Sequence, residues 1–330
     1  MSESPQTLQF TADRGDARLR LDQALVRRLG RDIRLSRTRA QQWIAGGRVL
    51  LDGHPATRAA QTVIEGVRVT VHPPDDTARR QAPEPEDLPL DVLFEDDSLL
   101  AVNKPAGIVV HPTYRNTSKT LLNAVLWRLR DRPAARPGVL TRLDKDTSGL
   151  VLIALSPAVH AAVQAMTGSN RPRKEYLAVV EGRPEPAAGR ITLPLSRDPH
   201  DRRRVIAESG GARSETRYEV TATGGTHSVV RCELVTGRTH QIRVHLASSG
   251  WPIVGDRTYG NPADIIARQA LHAWRVTMRH PVTQTLLTIT APAPADIAAL
   301  LQADPVLPSK AQAVEHSDIP PHLGHQLLDQ

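Results

Sequence analysis

Between two apolar runs, Gly138-Val139-Leu140 and Leu150-Val-Leu-Ile-Ala-Leu155, the chain carries the charged and hydroxyl-rich stretch Arg142-Leu-Asp-Lys-Asp-Thr-Ser-Gly149. Such a loop presents side chains rather than packing them. The Val- and Leu-rich runs on either side read as buried strands. Asp144 is therefore expected at the edge of a rigid sheet, with Arg142 just before it and Lys145 just after. A carboxylate placed in this way is suited to attack or to proton abstraction. In a dry pocket it needs a neighbouring cation to stay ionised, and a paired Arg lowers an Asp pKa by roughly 1 to 3 units.

Other chemistries fit the residues less well. Asp144 and Asp146 resemble the paired carboxylates of a glycosidase, but residues two apart in a loop need not converge. His240, His245 and His272 lack a metal spacing such as HExxH, so hydrogen-bonded or substrate-contacting histidines are the favoured reading. No GxSxG is present, which argues against a serine hydrolase. No glycine loop that would cradle a nucleotide appears either, and no cofactor and no metal are expected.

The elements that must position Asp144 belong to a chain of 330 residues, enough for one large core and a smaller domain. Hydrophobic residues make up 40% and mean hydropathy is -0.33, so no membrane-embedded composition is indicated. A single cysteine, Cys232, excludes an internal disulfide and a thiolate zinc cluster. The first thirty residues lack an apolar h-region, and no run approaches a membrane span, so a cytoplasmic protein is expected. Net charge is +7 and only five of the 42 basic residues are lysine. Arginine's planar fork suits phosphate and base edges.

Charge also divides the chain. Residues 12–72 hold twelve Arg against six acids, whereas residues 75–91 hold two Arg against six acids. A small basic domain over 12–73 is expected, then a Pro-rich, charged linker over 74–89, a main domain over 90–303 and a loosely ordered acidic tail over 304–330. In the first domain Leu21–Leu29 reads as an amphipathic helix. Ser36 reads as the N-cap of a second helix that ends at Gly46-Gly47. Along it Ala40, Trp43 and Ile44 share one face, leaving Arg37 and Gln41 on another. Strands are expected at 48–51 and 67–71, with a turn at Asp52-Gly53.

The order and phrasing of this domain, LDQAL followed by SRTRAQQWIAGGRVLLDG, resemble the S4 RNA-binding domain. The resemblance implies phosphate contacts by Arg34, Arg37, Arg39 and Arg48. The plain alternative is a solvated basic helix face.

Five further segments occur in the order of the RluA-type pseudouridine synthases: VNKPAGIVVHP from Val102, RLDKDTSG from Arg142, KEYLAVVEG from Lys174, TGRTHQIRVH from Thr236 and QALHA from Gln269. With an S4 domain in front, the chain is similar to the large-subunit ribosomal RNA synthases of that family, especially the D type. This implies an α+β fold, in which a small S4 domain precedes a mixed, mainly antiparallel sheet with flanking helices. It also implies isomerisation of a flipped-out uridine with Asp144 as the catalytic carboxylate and Arg243 as its ion-pair partner. Tyr176 would be the platform on which the uracil stacks, also implicated in a proton transfer, and Arg142 the residue that helps displace the base. Without the resemblance, Tyr176 would more ordinarily pack with its hydroxyl bonded to a carbonyl, and Arg142 would form a surface salt bridge.

Gln241-Ile-Arg-Val-His245 alternates like a strand, which puts Gln241, Arg243 and His245 on one face. Asn103-Lys104-Pro105 is expected to shape the pocket entrance, with Lys104 as a phosphate contact. Thr141 departs from the family, which usually has His before Arg-Leu-Asp; with Asp144, Tyr176 and Arg243 present, activity is expected to survive. RNA is the expected partner, large-subunit (23S) ribosomal RNA ahead of tRNA, with no protein partner implied and a monomer expected. A non-catalytic RNA-binding or ribosome-assembly factor that keeps the fold is the alternative.

Overall fold

Leu21, Ala24, Leu25 and Leu29 recur at helical spacing and are all buried in the computed structural model, which describes residues 7–30, 33, 35–74, 83–113 and 116–303. They lie on α1 (Leu21–Leu29), which packs on α2 (Arg37–Ala45) through Ala40, Trp43 and Ile44. The Ser36 hydroxyl caps α2 by accepting the Arg39 N–H, and Gly47, at φ 67, lets the chain turn away after the Gly46 C-cap.

Four antiparallel strands cover these helices: β1 (Leu8–Thr11), β2 (Val49–Leu51), β3 (His54–Pro55) and β4 (Arg68–Val71), in the order β1-β4-β2-β3. Asp52 and Gly53 both take positive φ, the geometry of a two-residue hairpin turn. Strand β1 precedes the boundary expected at residue 12. The chain divides into two compact units, 1–82 and 83–330. Arg34, half of the expected linker (75–82) and the expected tail (304–330) lie outside the described residues. The end of the linker is tied to the second unit: Asn123 Nδ2 donates to Glu84 O, and the Lys119 N–H to the Glu86 carboxylate.

The second unit is built on a ten-stranded mixed sheet. Its elements in chain order are β5 (Asp91–Glu95), β6 (Leu99–Lys104), α3 (Leu121–Arg128), β7 (Gly138–Val139), β8 (Ser148–Ala154), α4 (Pro157–Ala165), β9 (Arg173–Glu181) and β10 (Ala188–Ile191). There follow β11 (Leu195–Arg197) and β12 (Val205–Ala207), a separate hairpin, then β13 (Thr216–Thr223), β14 (His227–Leu234), α5 (Gln241–Ser248), β15 (Leu271–Arg279), β16 (Leu286–Thr290) and α6 (Ala295–Ala303). The strand order is β10-β13-β14-β9-β15-β8-β6-β5, with β16 on β15 and β7 on β8. Among the described residues only β8 and β15 pair in parallel. The α+β, mainly antiparallel architecture is thus the observed one.

Every residue of β8 is buried, which explains its unbroken apolar run: both faces of the strand are covered. Leu150 and Leu152 pack with Val163 of α4, while Val151 and Ile153 pack with Leu121 and Val125 of α3. At the start of β8, Gly149 has φ 111, and a Cβ there would lie 2.2 Å from Ala273 O of β15. Glycine is therefore required where these strands meet, immediately after the charged loop.

Candidate active site

The expected strand over Gln241–His245 is instead the first part of helix α5. Ile242 and Leu246, four residues apart, enter the core beside β9 and β15, while Val244 packs against Leu195 and Val205 of the β11–β12 hairpin. Five residues are too few to distinguish a period of 2 from a buried helix with apolar contacts on two sides. The change matters, because it sets Arg243 on the first turn of a helix, pointing at the 142–149 loop.

That loop is fixed from several directions. Thr141 Oγ1 accepts the Leu152 N–H at 2.8 Å, joining its start to β8. Lys104 Nζ donates to Lys145 O, Pro105 O and Ile108 O at 2.7–2.9 Å, and Gln269 Nε2 donates to Thr147 Oγ1 at 3.1 Å. The expectation of Lys104 as a phosphate contact is corrected here: its side chain is fully buried and its three donors are spent on carbonyls. Burial pulls its pKa down to about 8. It anchors the loop from below.

Within this frame Asp144 is 27% exposed and accepts Arg243 Nη1 on Oδ2 at 3.0 Å. The other nitrogens of Arg243 are held by Asp256, a residue that sequence reasoning missed: Nε lies 2.7 Å from Oδ2 and Nη2 2.8 Å from Oδ1. Asp256 Oδ1 also accepts the backbone N–H groups of Thr258 and Tyr259. Burial pushes the Asp256 carboxyl up, but the hydrogen bonds and charge of Arg243 outweigh it and hold the pKa below its ordinary value. Burial likewise opposes charge on Arg243, and Asp256 and Asp144 together raise its pKa above the ordinary arginine value.

Tyr176, on β9, lines the same cleft with its side chain buried. Its hydroxyl makes no hydrogen bond among the described residues, unlike that of an ordinary packed tyrosine. Burial, and then the Asp144 charge, push the phenol well above its usual range, so it carries its proton at neutral pH. Arg142 is exposed on the cleft rim and forms no ion pair among the described residues. The cleft opens to solvent.

The histidines separate by environment. His245 is buried, with Nδ1 2.9 Å from Thr216 Oγ1 and Nε2 3.0 Å from Leu193 O. His272 is buried between Ser148 Oγ and Ala291 O. His240 alone of the three lines the cleft, its Nε2 3.8 Å from Asp144 Oδ2. Gln241 fastens the adjacent loop: its Oε1 accepts from Thr236 Oγ1 and Arg238 N–H, and its Nε2 donates to Glu215 O and Thr216 Oγ1.

The structure therefore brings Asp144, Arg243, Tyr176 and Arg142 together in one cleft. The first unit carries the basic residues expected to contact RNA. Arg37 Nε and Gln41 Nε2 both donate to the buried Asp22, Arg39 stacks over Trp43 at 5.3 Å, and Arg48 is exposed just before β2.

Comparison with known proteins agrees with this division. Residues 98–248 match the family described as RNA pseudouridylate synthase, and residues 19–69 match the S4 domain. The ribosomal large subunit pseudouridine synthase D of Nitrosomonas europaea is 39% identical over 93% of this chain and 90% of its own length. The protein of the same description from Xanthomonas campestris is 38% identical, over 81% of this chain and 84% of its own. Among solved structures, human RNA pseudouridylate synthase domain containing 1 superposes with a TM-score of 0.52 at 26% identity, covering 63% of this chain and 84% of that one. With a cleft built around Asp144 and Arg243 and relatives of this identity matched along most of their length, the chain belongs to the RNA pseudouridylate synthase family and carries an S4 domain ahead of the synthase unit.

Proposed function

We propose that this enzyme converts specific uridines of large-subunit (23S) ribosomal RNA to pseudouridine, with Asp144 as the reacting carboxylate. The observation that carries the reading is the convergence of Asp144, Arg243 and Tyr176 in one cleft, from three segments distant in sequence. In this isomerisation the glycosidic N1–C1′ bond breaks, the uracil turns, C5 bonds to C1′, C5 gives up its proton and N1 takes one up. The target nucleotide must first leave its stack. Asp144 then acts on it in one of three ways: at C1′, at C6, or on a sugar proton. Arg243 occupies one carboxylate oxygen and fixes the orientation of the other.

Tyr176 supplies the face on which the uracil stacks and enters the reaction protonated. Burial is the larger cause of its raised pKa, and the Asp144 charge adds to it. Arg142, on the rim, takes the part of displacing the base. Arg37, Arg39 and Arg48 contact RNA phosphates, with Asp22 presenting the first of them. The names of the relatives support large-subunit ribosomal RNA as the target. Among the described residues no helix is long and apolar enough to cross a membrane, and a ribosomal substrate fits action in the cytoplasm, as a monomer with RNA as partner.

The test is pseudouridine mapping of total RNA by carbodiimide chemistry in cells carrying the wild-type gene, a deletion, or Asp144→Asn. Loss of the same large-subunit sites in both mutants is expected. Sites lost in the deletion but kept by Asp144→Asn would refute the role of Asp144, and no loss in either would favour a non-catalytic RNA-binding protein.

A further inference from the structure

Arg243 and His240 approach Asp144 at the same oxygen. Arg243 Nη1 donates to Oδ2 at 3.0 Å and His240 Nε2 stands 3.8 Å from it, whereas Oδ1 receives no hydrogen bond among the described residues. His240 holds this place at a conformational cost. It is the N-cap of α5 with φ 54 and ψ 17, left-handed backbone that few residues other than glycine adopt, histidine among the more frequent of them.

Its ring is oriented by Tyr259, whose Oη lies 2.7 Å from His240 Nδ1 and accepts the Val205 N–H at 2.8 Å. With that lone pair engaged, and no other acceptor bonded to it among the described residues, the phenol proton is directed at Nδ1. Burial keeps the phenol above its ordinary pKa, so the proton is present. Nδ1 is then an acceptor, and the ring's own proton sits on Nε2, the nitrogen nearest Asp144. The charged and titratable groups around the imidazole are Asp144, Arg243, Asp256, Arg197 and Tyr259. Burial, opposed by Asp144 and aided by Arg243, keeps the ring below its usual pKa and therefore neutral at pH 7.

We propose that His240, fixed in its Nε2–H tautomer by the Tyr259 hydroxyl, is a second positioning donor to Asp144 Oδ2, leaving Oδ1 to face the nucleotide. The 3.8 Å separation closes to hydrogen-bond length when the nucleotide fills the cleft, as catalytic contacts tighten on substrate binding. Arg243 and His240 together then give the carboxylate one bound oxygen and one reacting oxygen. This inference rests on the reading of Asp144 as the reacting carboxylate.

The first test uses the wild-type chain: nitrogen NMR of ¹⁵N-histidine-labelled protein at pH 7.5, with His240 identified among the 13 histidines by its loss in His240→Gln. A protonated Nε2 and a bare Nδ1 are expected; a protonated Nδ1 with a bare Nε2 overturns the inference.

The second test is turnover on large-subunit ribosomal RNA from a deletion strain. His240→Ala is expected to lose roughly 10- to 100-fold in kcat, the range for one hydrogen bond to a charged group, with KM little changed. His240→Gln, whose amide can still donate, recovers most of that loss. An alanine variant within twofold of wild type, or a glutamine variant as slow as the alanine one, overturns the inference. Asp144→Asn is run alongside. Turnover by that variant would remove the underlying reading, whereas an inert Asp144→Asn with a contrary His240 result would remove this inference alone.

Discussion

Asp256 grips Arg243 through two nitrogens, at 2.7 and 2.8 Å, and leaves only Nη1 to reach Asp144. The guanidinium is a fixed bracket between a fully buried carboxylate and a partly exposed one, and the exposed one faces the cleft. Burying such a pair is tolerable only with complete hydrogen bonding, and breaking it by removing one partner costs about 3–5 kcal/mol.

Asp256→Asn is therefore expected to lower kcat by roughly 10- to 100-fold with little change in KM, because one charged contact that orients Arg243 is lost. Its melting temperature should also fall. Steady-state kinetics on large-subunit RNA checks this, and unchanged kcat would show that Arg243 is oriented without Asp256.

Tyr176→Phe separates the ring from the hydroxyl. Since the hydroxyl forms no hydrogen bond among the described residues, thermal stability and RNA affinity are expected to stay near wild type while pseudouridine formation falls sharply. Tyr176→Leu should in addition lose the stacking surface, which is worth about 1–3 kcal/mol per base. Calorimetry, RNA binding and single-turnover rates together resolve the two contributions.

Stability should depend on pH through His272. Burial pulls its pKa down to about 4 from 6.5, and both ring nitrogens are hydrogen-bonded in the fold. The unfolded chain binds the proton first, so the contribution is complete above pH 6.5 and is lost as pH falls through about 4. This amounts to about 3 kcal/mol. Urea unfolding between pH 7 and 4 should show the loss, and His272→Gln should flatten the profile over the same window.

Arg37, Arg39 and Arg48 are expected to act on affinity alone. Replacing all three by Ala should weaken RNA binding and reduce the slope of log K against log salt by roughly 2 to 3. Turnover at saturating RNA should be nearly unchanged. Titrations at several salt concentrations measure it; an unaltered slope would return these arginines to the status of a solvated helix face.

Much of this was legible because it is local. Apolar residues recurring three and four positions apart marked α1 and α2, Ser36 and Gly46-Gly47 marked the ends of α2, and the charged stretch between two apolar runs marked the site loop. What escaped depends on distance in sequence. Arg243 and Asp144 are 99 residues apart, and their pairing was suggested by family resemblance rather than by spacing. Asp256 sits in a segment without periodicity, and its one local sign is Gly255, at φ 74 with a would-be Cβ 2.4 Å from Arg268 O. Lys104 was misread because a lysine beside a proline ordinarily lies at the surface, whereas here three converging carbonyls make burial affordable. The helix over Gln241–Ser248 was misread because its polar residues are held inside by partners that only the folded sheet supplies.

The most direct test of the central claim uses purified wild type and Asp144→Asn with large-subunit ribosomal RNA from cells lacking the gene, measuring both pseudouridine formed and RNA bound. The account predicts full conversion of defined uridines by wild type, none by Asp144→Asn, and similar affinity for both. Pseudouridine made by Asp144→Asn at those same sites would contradict it.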